Sequence, residues 1–142
     1  MIYVDLNPPE IGVPNFVVAD AHHLPFRSGA FQEAHMRHVL EHLEEPGKAI
    51  LEVWRVLALG GRLEVEVPGM FSCVLKLDPD HRWVFSPWML KRLLKLFRSV
   101  RVWSEGISPR LIPLWPLRLL LARWLPRVPW FVAEYLRASC EK

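Results

Sequence analysis

Threonine is absent from the 142 residues, glutamine occurs once and asparagine twice. That shortage of thermolabile amides is of the kind heat adaptation favours. The two cysteines, Cys73 and Cys140, are too few for a disulfide scaffold or a Cys-based zinc site, so a reducing compartment is the default. The opening MIYVDLNPPE has no basic stretch and carries Asp5 and Glu10, which excludes a signal peptide; a cytoplasmic location is the expectation. A bilayer-spanning run of about 20 apolar residues is also lacking. The best candidate, LIPLWPLRLLLARWL at 111–125, is broken by Pro113, Pro116, Arg118 and Arg123. There is no G-x-S-x-G, no phosphate-binding glycine loop, no cysteine with a histidine close by in sequence, no internal repeat and no long linker.

Apolar residues make up 51% and charged residues 23%, which excludes a disordered chain. The length suits one domain, 1–142, able to bury roughly 68–70% of its unfolded surface without disulfides or metal. The net charge of +3 conceals an asymmetry. Residues 1–75 carry ten acidic and five basic side chains, and residues 76–142 carry five and thirteen. Six of the seven tryptophans lie in the basic half and five of the six histidines in the acidic half. Such a half could face nucleic acid, anionic lipid or an acidic partner, or be solvated surface over a Trp-containing core, and the last is the reading adopted.

Strand-like and helix-like segments alternate, the pattern of an α/β domain with a mainly parallel sheet. Strands are expected at 2–6, 16–19, 32–36, 61–67 and 100–103. In 61–67, Leu63, Val65 and Val67 share one face, with Arg62, Glu64 and Glu66 on the other. The segment 133–139 reads as strand or helix. Helices are expected at 46–57, with an apolar stripe of Ala49, Ile50, Val53, Trp54 and Leu57 ending at a Gly60-Gly61 cap; after Ser86-Pro87, burying Leu90, Leu94 and Phe97; and at 116–125.

Asp5 and Asp20 each end a predicted strand, where open α/β sheets bind ligands and a carboxylate commonly accepts ribose hydroxyls. Either could equally cap its own loop. His38-Val-Leu-Glu41-His42 matches H-x-x-E-H, with the histidines one helical turn apart. As a zinc peptidase it would need a further ligand, for which Glu52 is the obvious residue. Ordinary hydrogen bonding is the simpler reading, and no metal is expected. His22-His23 follow Asp20, and Asp78, Asp80, His81 and Arg82 form a polar loop before the Ser86 helix, read as surface.

The runs VDLNPP, FVVADAHHLPF and HVLEHLEEPGKAILEVWRVLALGGRLEVEVP, in this order, resemble the core of the class I S-adenosylmethionine-dependent methyltransferases, type 11-like. The pattern shared is D-x-x-x-L-P-F, then H-V-L-E-H-L, then R-V-L-x-P-G-G-R-L, with Leu59 where proline is usual; the stretch 79–105 resembles the later part of those enzymes. The resemblance implies a Rossmann-like three-layer sandwich. It also implies a first strand and D-x-G-x-G-x-G loop ahead of Ile2, which are missing. It assigns Asp5, with Leu6, to the cofactor ribose, Asp20 to the adenine amino group and Ala21 to the side of the ring. His38 falls at the methionine and substrate end and is the candidate base.

The implied reaction is methyl transfer from S-adenosylmethionine to an unidentified small molecule or sugar. The alternatives are a non-catalytic binding module descended from such an enzyme and, remotely, the zinc peptidase. Two acids contribute roughly 3–6 kcal/mol where micromolar affinity requires about 8, so weak or absent cofactor binding is expected. Residues 107–130, with five prolines, three tryptophans and four arginines, form a variable helical insertion before the last strand. Self-association through this region or an exposed sheet edge is expected, nucleic acid is not, and membrane contact through 111–125 is the less favoured option.

Overall fold

The structure, a computed structural model, describes residues 1–70, 72, 78–107 and 133–142. Two short strands open the chain. β1 (Tyr3–Asp5) pairs in parallel with β2 (Phe16–Val18), Tyr3 opposite Phe16 and Asp5 opposite Val18. Asn15, at φ 58°, makes the turn into β2, a left-handed backbone that asparagine tolerates better than most residues.

Next come β3 (Phe31–Arg37), α1 (Pro46–Val56), β4 (Leu57–Pro68), α2 (Pro87–Leu93), β5 (Ser99–Ile107) and β6 (Ala133–Glu141). Four of these strands form a sheet in the order β3-β4-β6-β5. β3 lies parallel to β4, and β6 runs antiparallel to both β4 and β5, so β6 alone is reversed. This is the α/β architecture expected from the alternation of segments. The segment at 133–139 is settled as a strand. Leu136, Ala138 and Cys140 are buried opposite Val67, Val65 and Leu63, and a period of two buries all of them against one face.

Register makes the two faces of this sheet chemically opposite. Ala34, Met36, Leu63, Val65, Val67, Val100, Val102, Leu136, Ala138 and Cys140 belong to one hydrophobic cluster with Ile50, Val53, Leu90 and Leu94. Both helices therefore cover this face. The reverse face of the described strands carries Glu33, His35 and Arg37 beside Arg62, Glu64 and Glu66, then Ser139, Arg137, Arg101 and Glu105.

α1 buries Ala49, Ile50, Val53 and Val56, and Pro46 opens it as expected. It does not continue to Gly60-Gly61. It stops at Val56, where Leu57 turns extended at φ −74°, ψ 138° and begins β4 directly. Gly60 does adopt positive φ, 73°, but inside β4, where the six residues from Leu57 to Arg62 face the three from Phe31 to Glu33. Pairing of Phe31 with Leu57 outweighs another helical turn, and the surplus loops out as a bulge. The carbonyls of Trp54 and Leu57 accept from Lys142 Nζ at 2.7 and 2.6 Å, a cation at a helix C-terminus.

Ser86 caps α2 as its spacing predicts, its hydroxyl accepting from Met89 N at 3.2 Å. Leu90, Leu94 and Phe97 are buried. The expected helix at 116–125, and the insertion beyond Ile107 with its self-association and membrane readings, lie outside the described residues, as does Cys73. Among the described residues no helix is long and apolar enough to cross a membrane.

Candidate functional site

The carboxyl ends of β1 and β2 point the same way because the strands are parallel, and an acid stands at or just beyond each. Asp5 is the last residue of β1. Its Oδ1 accepts from Asn7 N at 3.0 Å, and its carbonyl accepts from Ala19 N at 2.9 Å, tying the two strand ends together. Leu6 follows it, 60% exposed. Asp20 stands two residues beyond β2. Its Oδ1 accepts from His22 N at 2.8 Å and lies 2.6 Å from His22 Nδ1, while Oδ2 is 3.7 Å from His23 Nδ1. The backbone N–H of His22 is the main reason the Asp20 carboxyl is held below its ordinary range; the His22 and His23 rings add to it against partial desolvation. Each acid thus caps its own loop with one oxygen. Asp20 nevertheless keeps 42% of its side chain exposed.

The loop after Asp20 is fastened to α1. Arg55 donates to Phe26 O at 2.7 Å and Leu24 O at 3.0 Å, and holds Glu52 with Nε and Nη2 at 2.8 Å each. The Glu52 carboxylate in turn accepts from Leu24 N at 3.0 Å. Arg55 pushes the Glu52 carboxyl below its ordinary range. Ala21 and Leu24 then pack on the core. Occupied in this way, Glu52 is not the third ligand of an H-x-x-E-H peptidase. Residues 38–42 also form a turn and not a helix, and nothing in this geometry supports that reading.

His38 follows β3 in left-handed backbone, φ 51°. Its N–H donates to Glu66 O at 3.0 Å. Its ring lies between two carboxylates, Nδ1 3.1 Å from Glu41 Oε1 and Nε2 3.3 Å from Glu66 Oε1, with Tyr135 edge-on at 5.6 Å between centroids. The other Glu66 oxygen meets Arg137 Nε at 2.6 Å, and Arg137 Nη1 meets Glu105 at 2.9 Å. A row of polar contacts therefore runs Glu41, His38, Glu66, Arg137, Glu105, from the turn after β3 across β4, β6 and β5.

Sequence reasoning singled out Asp5, Leu6, Asp20, Ala21 and His38. The structure places the first four on the parallel pair and its following loop, and His38 at the end of the neighbouring sheet's first strand. Sequence reasoning missed Glu66 as a partner of His38, and Arg137 and Glu105 beyond it. Alternation in β4 had set Glu66 on the polar face, but only the order β3-β4-β6-β5 brings Arg137 beside it. A cleft of about 400 Å3 lined by Trp88, Lys91, Arg92, Lys95, Phe97, Arg98 and Val100 shares no residue with this site.

Residues 2–65 match the family model described as methyltransferase domain, a span that contains every one of the five residues singled out. No curated protein matches the chain. Among solved structures, the chain is similar to a S-adenosylmethionine-dependent methyltransferase of Archaeoglobus fulgidus, with 18% identity, TM-score 0.65, and coverage of 90% of this chain and 67% of that one. A S-adenosylmethionine-dependent methyltransferase of Thermotoga maritima gives 17% identity, TM-score 0.68, and coverage of 89% and 63%. Phosphoethanolamine N-methyltransferase 2 of Haemonchus contortus, solved with S-adenosyl-L-methionine, gives 16% identity, TM-score 0.59, and coverage of 89% and 36%. The chain thus spans between about a third and two thirds of these proteins.

Proposed function

We propose that this chain, which has the class I methyltransferase fold and carries the methyltransferase-domain match over residues 2–65, is an S-adenosylmethionine-dependent methyltransferase domain acting on a small molecule. The observation that carries the reading is the pair of carboxylates, Asp5 and Asp20, at the carboxyl ends of two parallel-paired strands. When bound, the cofactor supplies an electrophilic methyl group on a sulfonium.

The residues present suit its adenosine half. Carboxylates are acceptors, and the ribose hydroxyls and adenine amino group are donors. Asp20 is held in its charged form by His22, so it accepts without first losing a proton. Beside it His22 Nε2 is buried without a hydrogen-bond partner, a polar atom that a ligand group could satisfy. Asp5 would take the ribose, with Leu6 beside it, and Asp20 the adenine amino group, with Ala21 against the ring. His38 would serve the acceptor end. Both of its ring nitrogens already face carboxylates, which favours a positioning role over that of a free base. Methyl transfer by in-line displacement needs mainly alignment and exclusion of water.

Calorimetric titration of S-adenosylmethionine into the chain tests the reading. The two carboxylates together are worth roughly 3–6 kcal/mol, so a dissociation constant of about 100 μM or weaker is expected. Asp20→Asn and Asp5→Asn should each weaken binding by about 1–3 kcal/mol. Binding that both substitutions leave untouched overturns it.

A further inference from the structure

Beyond methyl transfer, we propose that Glu41, His42 and His81 form a binding site for a divalent transition-metal ion of the Zn2+ class. One nitrogen from each imidazole and one carboxylate oxygen of Glu41 all lie within 4.8 Å of one another. Ligand atoms on a tetrahedral zinc, with arms of about 2.0–2.2 Å, stand about 3.4 Å apart, so small side-chain rotations close the set.

The strongest indication is what these groups lack. Glu41 is fully buried, yet only its Oε1 is engaged, by His38; Oε2 has no hydrogen-bond partner. The His81 side chain is 4% exposed and its Nδ1 also has no partner. A buried carboxylate oxygen and a buried imidazole nitrogen left unpaired are unfavourable. A cation between them satisfies both, and two imidazoles with one carboxylate are a donor set that suits zinc. Asp78 lies outside this set, its Oδ2 3.9 Å from His42 Nε2 and 3.7 Å from His81 Nε2, so a water would complete the tetrahedron.

The backbone prearranges the cluster. Arg82 N and Trp83 N donate to Glu41 O at 2.7 and 3.1 Å, and Trp83 Nε1 donates to Leu43 O at 2.7 Å. The loop bearing His81 is thereby zipped onto the turn bearing Glu41 and His42, whose ring stands 4.6 Å from that of His81. His38 on Glu41 Oε1 acts as the outer partner that orients a ligating carboxylate. The role is that of a structural tie between two loops, anchored by the fully buried Glu41 and the nearly buried His81 side chain.

The test is titration of zinc chloride into the chelator-stripped chain, with cobalt(II) absorbance as a second readout. Expected are one ion per chain, intense visible cobalt bands of a tetrahedral nitrogen–oxygen site, and a rise in melting temperature with zinc but not magnesium. His42→Ala and His81→Ala should each weaken zinc affinity at least tenfold, whereas His35→Ala, on the far polar face, should leave it unchanged. Absence of zinc binding by the wild-type chain overturns the proposal even if a variant fails to fold. So does binding that survives both histidine substitutions, or a cobalt spectrum of an octahedral, water-rich site.

Discussion

His38 meets Glu66 twice, once through its backbone N–H on the Glu66 carbonyl at 3.0 Å and once through Nε2 at 3.3 Å from the Glu66 carboxylate. The double contact joins the end of β3 to β4 and holds His38 in left-handed backbone, φ 51°. For a non-glycine residue that conformation costs of order 1–3 kcal/mol. The side chain and backbone therefore oppose each other at this position.

Substitution separates the two effects. His38→Gly removes the ring contacts but relieves the strain, and should change unfolding free energy by less than about 1 kcal/mol. His38→Val loses the contacts and keeps a β-branched residue in left-handed backbone, so it should cost at least about 2 kcal/mol. Urea unfolding of the two variants measures the difference. Equal destabilisation would show that the strain is unimportant.

Acid should weaken the loop that follows β2. Asp20 is held below its ordinary value mainly by the His22 N–H, and Glu52 mainly by Arg55. A carboxylate whose folded pKa is depressed contributes stability that is fully present above its unfolded pKa and lost as pH falls through the folded one. Both contributions are thus intact at neutral pH and fade below about pH 4. Asp20→Asn and Glu52→Gln should each be less stable than wild type at pH 7, with the gap narrowing at pH 3 in urea titrations. A gap that widens on acidification would contradict the assignment.

Arg55 holds two carbonyls and one carboxylate of the Asp20 loop at once. Arg55→Ala should cost roughly 1–3 kcal/mol, since it strands those partners as well as removing the bonds. Arg55→Lys should recover little, because a single ammonium cannot match the guanidinium fork. Hydrogen exchange at residues 24–29 should quicken in both variants while that of β4 and β6 stays slow. Uniform quickening across the sheet would point to loss of core packing instead.

Cys140 lies in the core opposite Leu63 and Val100, and burial pushes its thiol up to about 12. The thiolate is the reactive form, so in a Cys73→Ser background iodoacetamide should label the folded chain at pH 8 only as fast as the fold opens. Denaturant should restore the rate of a free thiol. Rapid labelling of the native chain would place Cys140 outside the core.

Much of the scaffold follows from local pattern alone. Alternation in Leu63, Val65 and Val67, the Ala49, Ile50 and Val53 part of the α1 stripe and the Ser86-Pro87 cap depend on side-chain periods and caps that act within a few residues, and they reappear in the structure. Asp5 and Asp20 could be singled out for the same reason, as each ends a readable strand. Other features depended on partners distant in sequence. Whether 133–139 became strand or helix was decided by two flanking strands whose backbone groups needed pairing. Helix α1 ended at Val56 because Phe31 offered Leu57 a partner. His81 reached Glu41 and His42 only because the Glu41 carbonyl captured the Arg82 and Trp83 amides, and His38 gained its row of polar contacts only because β6 inserted between β4 and β5. Sequence periodicity specifies which face of an element is apolar. Which elements become neighbours is set by long-range pairing and shared burial, and that is where the polar groups of this site were brought together.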